Sequence, residues 1–334
     1  MRIRHTVLAT VGALTLAVSA CSSGAGTGST QGDSASTQGG GGEGFPVTVA
    51  TKFGDVTVEN KPQRVVALGW GDAETALALG VQPVGASDWL DFGGEGVGPW
   101  MAGKYTNPPQ LIETLEPSYE AIAALQPDLI LDVKSSGDAQ RHQRLASIAP
   151  TVGVPEGGDN YLTPADDQMT MIATALGEPE TGKQLIAEVD QAFEQAAAAH
   201  PGWKGKTFTA ATKTADGWGA YVGGSDRVTF MQNLGFTQNP TIAAMQPDAT
   251  GFSTSLSAEN LDSIDADVVV AFPIFVPTAQ LTGDPAFAAV PAVQQNRAVI
   301  IDGDLAQAYS LGTTTATQYA IGQLVPKLEQ AIGS

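Results

Sequence analysis

One cysteine and three histidines are present in 334 residues, and this scarcity closes off whole branches of chemistry. A lone thiol cannot pair within the chain, so neither a disulfide-stapled scaffold nor a Cys-based zinc site can be built from it. His5 sits in the basic N-terminal segment, leaving His142 and His200, too few for a site holding a bare metal on several imidazoles. His200 ends a helical stretch before Pro201 and reads as a surface residue at a helix C-terminus. Cations are scarce as well: 16 Lys and Arg against 35 Asp and Glu give a net charge of −19, a surface that repels nucleic acid. No G-x-S-x-G nucleophile elbow occurs; GASDW at 85–89 and GGSDR at 223–227 are the nearest strings. A Walker loop is missing too. The paired Asp166 and Asp167 stand at a polar helix start, where they complement the helix dipole. These absences point to binding rather than catalysis.

What is present starts with size. At roughly 100–200 residues per domain the length predicts about two domains, and 43% hydrophobic with 15% charged residues fits a folded body. Residues 1–20 carry Arg2, Arg4 and His5, then an apolar run ending in small residues, a secretory signal pattern. At about 14 residues that run is short for a membrane span, which needs ~20. The string VSAC at 18–21 resembles the lipobox of bacterial lipoproteins, in which Cys21 is lipidated and becomes the mature N-terminus. Gly, Ser, Thr and Gln dominate 21–44 with no apolar periodicity, so this stretch reads as a flexible linker from lipid to body. Gly39, Gly41 and Gly44 formally satisfy G-x-G-x-x-G, but no strand precedes them and no helix follows.

From Phe45 onward short apolar runs alternate with helical stretches, the rhythm of α/β lobes with largely parallel sheets. A hairpin is expected at 47–51 and 55–59, then strands at 65–68, 83–86, 129–131 and 151–154. With helices near 72–79, 118–125 and 138–147 these make an N-terminal lobe over 45–162. Residues 163–199 read as two helices broken at 177–179, one of them bridging the lobes. The rhythm resumes over 200–334 with strands at 207–212, 268–272 and 298–301 and helices near 226–234, 258–263 and 313–332. An internal repeat supports two similar lobes: SYEAIAALQPDLIL at 118–131 aligns without gaps to SAENLDSIDADVVV at 257–270. Each copy reads as a Ser-capped short helix feeding a buried strand, a pattern that helix capping alone can also produce.

Tryptophan positions carry the clearest functional signal. Trp70, Trp89 and Trp218 each follow an expected strand, and Trp100 lies in the Gly-rich stretch 93–103. In open α/β sheets ligands gather beyond the carboxyl ends of strands, so these rings can line one cleft. Each can equally pack under a loop as local core.

Six strings, in order and spacing, carry a family likeness: PQRVVAL at 62–68, DAETALALGVQPVG at 72–85, EPSYEAIAALQPDLI at 116–130, IAPT at 148–151, LGF at 234–236, and DPAF at 284–287 with PAV at 291–293. Over 45–334 the chain resembles the ferric-siderophore and cobalamin class of substrate-binding proteins of ABC importers. The resemblance implies two similar α/β lobes with mostly parallel sheets joined by a single long bridging helix, with the ligand in the cleft between them. It implies a lipid-anchored receptor on the outer face of the cytoplasmic membrane that captures a ferric siderophore. Delivery is to ABC permease subunits served by a cytoplasmic ATPase, and the receptor is expected to be a monomer. By motif, Glu120 and Glu259 map onto the glutamates that pair with permease arginines, with Glu74 a third candidate. A siderophore brings its own oxygen ligands to iron, so no resident cofactor or protein-bound metal is implied. The ligand-facing candidates are Trp70, Trp89, Trp100, Lys134, Lys213, Trp218, Tyr221, Arg227, Phe252, Phe275 and Tyr309. Thr114 stands where some hydroxamate binders carry an Arg, and the acidic body favours neutral or cationic hydroxamate or mixed complexes over trianionic tris-catecholates. Two alternatives stay open. The same fold can hold haem or cobalamin, with His142 or Tyr221 as the axial candidates, or the chain is an envelope-interaction lipoprotein with an idle cleft.

Overall fold

The computed structural model describes residues 44–248 and 251–333; the signal pattern, Cys21 and nearly all of the linker lie outside the described residues. The body opens with strands β1 (Val47–Val49) and β2 (Val56–Val58), antiparallel with Val47 opposite Val58. Val49 and Val58 enter the core while Thr48 and Thr57 face outward, the period-two alternation of a half-buried pair.

The N-terminal lobe follows as β3 (Val65–Ala67), α1 (Asp72–Ala78), β4 (Gly85–Ser87), β5 (Gln110–Ile112), α2 (Tyr119–Ala124), β6 (Leu129–Leu131), α3 (Ala139–Ala146) and β7 (Thr151–Val152). Its sheet has the order β5-β4-β3-β6-β7 and every pairing is parallel. The central β3 and β6 are buried at every position because helices cover both faces, which is why they read as unbroken apolar runs. The edge strand β5 escapes sequence reading for the opposite reason: Gln110 and Leu111 are exposed and only Ile112 is buried.

Helices α4 (Ala165–Leu176) and α5 (Pro179–Ala199) form the connection. Gly177 ends α4 at φ +75, and a Cβ there would lie 2.6 Å from the Phe45 ring, so both conformation and space call for glycine. Pro179 then starts α5, where a missing N–H costs nothing. With 21 residues α5 runs about 31 Å at 1.5 Å per residue. Leu185 and Ile186 pack on the N-terminal core, whereas Val189, Phe193 and Ala196 pack on the C-terminal one. This is the bridging helix.

The C-terminal lobe runs β8 (Thr207–Thr214), β9 (Gly217–Tyr221), α6 (Asp226–Asn233), β10 (Thr237–Gln238), α7 (Pro240–Ala243), β11 (Ser253–Leu256), a 3₁₀ segment (Ala258–Ile264), β12 (Val268–Pro273), α8 (Thr278–Thr282), α9 (Pro285–Ala288), α10 (Pro291–Gln294), β13 (Ala298–Ile300), α11 (Gly303–Leu311) and α12 (Thr314–Ile332). Here the likeness of the lobes is partial. Parallel β8, β12 and β13 repeat the first lobe's plan, but β9 returns antiparallel to β8 and β11 antiparallel to β9. The internal repeat also diverges: Ser118 caps α2 by accepting from Ala121 N at 3.2 Å, whereas Ser257 makes no side-chain cap bond and its segment winds as 3₁₀. His200 corrects the surface reading. It is 8% exposed, its ring stacks on Trp203 at 3.9 Å, and its Nδ1 lies 2.7 Å from the Ala196 carbonyl.

Candidate functional site

The carboxyl ends of the parallel strands in both sheets face each other across a cleft of about 820 Å³, joined to a side chamber of about 340 Å³. Trp70, in the loop after β3, and Trp89, after β4, line both spaces from the N-terminal lobe, with ring centroids 5.8 Å apart. Each indole N–H is already used, Trp70 donating to the Leu311 carbonyl at 3.0 Å and Trp89 to the Leu68 carbonyl at 2.9 Å. Their ring faces remain for a ligand. From the opposite lobe Tyr221, Phe252 and Phe272 form a stack, and Phe275 stands 87% exposed at the rim with φ +53.

Arg227, one residue into α6, is the central cation. Its guanidinium carbon sits 4.3 Å from the Tyr221 ring centroid and 5.9 Å from those of Trp70 and Phe272. Nε donates to Ser310 Oγ at 3.3 Å, and no carboxylate pairs with Arg227 among the described residues. Tyr309, expected to face ligand, is instead core: it is 1% exposed, meets Phe230 and Phe272 edge-on, and donates its hydroxyl to the Arg227 carbonyl at 2.7 Å. It thereby fixes the backbone beneath the arginine.

Four further candidates do not reach the cleft. Lys134 is buried, its Nζ 2.6 Å from Asp226 Oδ2, so its charge is spent tying the lobes together. Lys213 pairs with Asp284 at 3.2 Å, and Trp218 donates to that same carboxylate at 2.8 Å. Trp218 belongs to β9, not to a loop after β8, and its ring stacks on Phe287 at 4.9 Å in the core. The antiparallel return of the chain turned this ring away. Trp100 donates to Glu74 at 2.8 Å and packs against Phe92 and Tyr319, behind the cleft wall. Glu74 itself is buried, so it is no candidate for docking a partner, whereas Glu120 and Glu259 are exposed on the first turns of α2 and the 3₁₀ segment.

Sequence reading missed Asn160 and Tyr161, which line the side chamber on successive left-handed backbones at φ +53 and +61. Tyr161 meets Trp89 edge-on at 5.0 Å. An asparagine tolerates this conformation, but a tyrosine in it is strained, and nothing in the string GGDNYL announces it. Behind Trp70 lies a buried carboxylate with a positioning role. Asp72 accepts from Val133 N at 2.8 Å and from Gln168 Nε2 at 2.7 Å, and Gln168 Nε2 also reaches the Trp70 carbonyl at 2.8 Å. Burial pushes the Asp72 carboxyl up to about 7 despite these donors.

Two α/β lobes on a shared helix, with an aromatic cleft at facing strand ends, define a bilobal binding protein. The chain belongs to the periplasmic binding protein family, whose model matches residues 65–305. Among curated relatives, the probable siderophore-binding lipoprotein YfiY of Bacillus subtilis is 30% identical over 234 residues, covering 63% of each chain. The Fe(3+)-citrate-binding protein YfmC of the same organism is 28% identical over 220 residues, 65% of each. The chain thus spans a little under two thirds of the length of these relatives. Streptococcus pneumoniae PiaA, solved in complex with ferrichrome, superposes with a TM-score of 0.72 at 25% identity, covering 86% of this chain and 98% of that one.

Proposed function

We propose that the chain is the extracytoplasmic receptor of an ABC importer, capturing a ferric siderophore between its lobes and handing it to the membrane permease. The observation that carries this reading is the cleft itself: aromatic faces around one uncompensated arginine, at a size suited to a small organic complex. Iron that arrives wrapped in its own oxygen ligands asks the protein for surface and charge, not for coordination. The proteins named above are a probable siderophore-binding lipoprotein, an Fe(3+)-citrate-binding protein and one solved in complex with ferrichrome, which supports the same class here.

Charge in the cleft favours neutral hydroxamate or mixed-ligand complexes. With Lys134 and Lys213 each held by an aspartate, Arg227 is the one Lys or Arg lining the cleft among the described residues, a poor match for a trianion. Lipidation of Cys21 would tether this body to the outer face of the membrane, and the exposed Glu120 and Glu259, one on each lobe, would set the docking register on permease arginines. Of the two axial candidates for haem, His142 stacks on Phe53 at 4.0 Å, away from the residues lining the cleft, whereas Tyr221 does line it, with its ring face under the Arg227 guanidinium.

Tryptophan emission titrated with ferrichrome, ferric citrate, a ferric tris-catecholate, haem and cobalamin tests the reading. Saturable sub-micromolar quenching by a ferric complex, strongest for the neutral one, is expected. Quenching by haem or cobalamin alone, or by none of them, overturns it.

A further inference from the structure

Glu74 lies where the lobes meet. It projects from α1 of the N-terminal lobe, yet its donors come largely from the start of α12 in the other lobe. Oε1 accepts from the Thr313 hydroxyl, from Thr315 Oγ1 at 2.6 Å and from Trp100 Nε1 at 2.8 Å. Thr313 meanwhile caps α12, accepting from Ala316 N at 3.3 Å. The whole first turn of that helix is therefore anchored on a carboxylate of the opposite lobe.

The second oxygen is the anomaly. Glu74 Oε2 is buried and has no hydrogen-bond partner among the described residues, and the same is true of Ser87 Oγ on β4. Both residues line one small void of about 10 Å³ beneath Trp89 and Phe92. A buried oxygen left unpaired is destabilising, and a polar void of roughly 10–15 Å³ is enough for one water. We propose that Glu74 and Ser87 hold a single buried water in this void, and that together they form a proton-sensitive latch between the lobes, closed while Glu74 keeps its proton and loosened when it gives the proton up.

Burial pushes the Glu74 carboxyl above its usual range, while the Thr313, Thr315 and Trp100 donors and the Ala316 N–H pull it back. The titratable groups on the surrounding elements are Asp72 on the same helix, Asp88, Asp91 and Glu95 on the loop after β4, Lys104 and Tyr105 beyond Trp100, Asp166 and Asp167 on α4, Asp304 and Tyr309 on α11, whose Leu311 lines the void, and Tyr319, Lys327 and Glu329 on α12. None of them appears among the causes of the Glu74 shift. The sign follows. A closed interface binds the proton more tightly than an opened, hydrated one, so closure is strongest below the ordinary carboxyl value of 4.5 and is lost as pH rises through the raised one. The coupling of this latch to ligand loading rests on the receptor role proposed above; the latch itself does not.

Amide hydrogen exchange of residues 313–316 in the full chain, corrected for intrinsic rates, reads the latch without any ligand. Protection is expected to fall by up to about tenfold per pH unit across the titration window. Asp72→Asn removes the neighbouring carboxyl's own titration; in that background the slope should persist, and Glu74→Gln added to it, permanently neutral, should stay protected and flat. Ser87→Ala, which removes only a hydroxyl that bonds to no described residue, should move the window to higher pH by removing a partner of the water. A flat wild-type profile, a slope lost in Asp72→Asn alone or surviving Glu74→Gln in that background, or a Ser87→Ala profile identical to wild type overturns the proposal. Ferrichrome affinity measured over the same pH range should follow the exchange slope. Failure of ferrichrome, ferric citrate and ferric catecholate to bind at every pH refutes the receptor role and leaves the exchange data to decide the latch.

Discussion

Lys134→Met is the sharpest test of how the lobes are tied. Methionine keeps most of the stem and removes the ammonium from a site only 1% exposed, leaving Asp226 behind. At an effective dielectric of about 20 the lost attraction across 2.6 Å is on the order of 6 kcal/mol, against several kcal/mol regained by not desolvating the ammonium. The pair as a whole is therefore worth little, whereas stranding one member of a buried pair costs about 3–5 kcal/mol. Asp226 keeps 19% exposure toward the cleft, so water relieves part of this and roughly 3 kcal/mol is expected. Asp226→Asn added to Lys134→Met should recover most of the loss, because the stranded charge is then gone. Urea unfolding of the four-member cycle, with the slope checked for constancy, gives the coupling energy. A single variant within about 0.5 kcal/mol of wild type, or a double variant no better than the single, would refute this account of the bridge.

Other perturbations separate cleft from core. Trp70→Ala and Trp89→Ala should each weaken ferrichrome binding by about 10–100-fold in a fluorescence or calorimetric titration, with a smaller loss of stability than a fully buried ring would cost, because both are half-buried. Trp218→Ala should instead cost about 3–5 kcal/mol of stability and leave affinity intact, since its ring is packed on Phe287. Asp72 holds its proton up to about 7 in the folded chain and releases it near 3.8 when unfolded, so its contribution is full at the acid end and is lost as pH rises between those values. The wild-type minus Asp72→Asn stability difference, followed by urea unfolding against pH, should therefore slope downward over that window, by up to about 4 kcal/mol. Glu120→Ala combined with Glu259→Ala should preserve ligand affinity and abolish uptake in a transport assay; unchanged uptake would remove both from the docking surface.

The parallel part of the fold was legible because it writes itself locally. β3, β6 and the buried Val268–Phe272 stretch of β12 are apolar runs, and Gly177 with Pro179 punctuates the two connecting helices in the expected place. The strand β9, in contrast, is GWGAY, with glycine at two of its five positions, and its antiparallel return carried Trp218 to the wrong side of the sheet. Cleft residues directly after parallel strands, Trp70 and Trp89, could be read from position alone. Charge could not: Lys134 and Asp226 lie 92 residues apart, and Lys213 and Asp284 lie 71 apart, so which cations stay available is settled only by tertiary pairing. Tyr161 gave no signal because its role depends on a backbone conformation that tyrosine rarely adopts.

The bridging helix has a thermodynamic consequence. Because Leu185 and Ile186 complete one core while Phe193 and Ala196 complete the other, α5 cannot leave either lobe without fraying its grip on both. Heat should therefore melt the body in one cooperative endotherm with no half-folded plateau. Severing the chain anywhere within α5 would leave two fragments that each expose part of an apolar core, so neither lobe should persist as an independent domain.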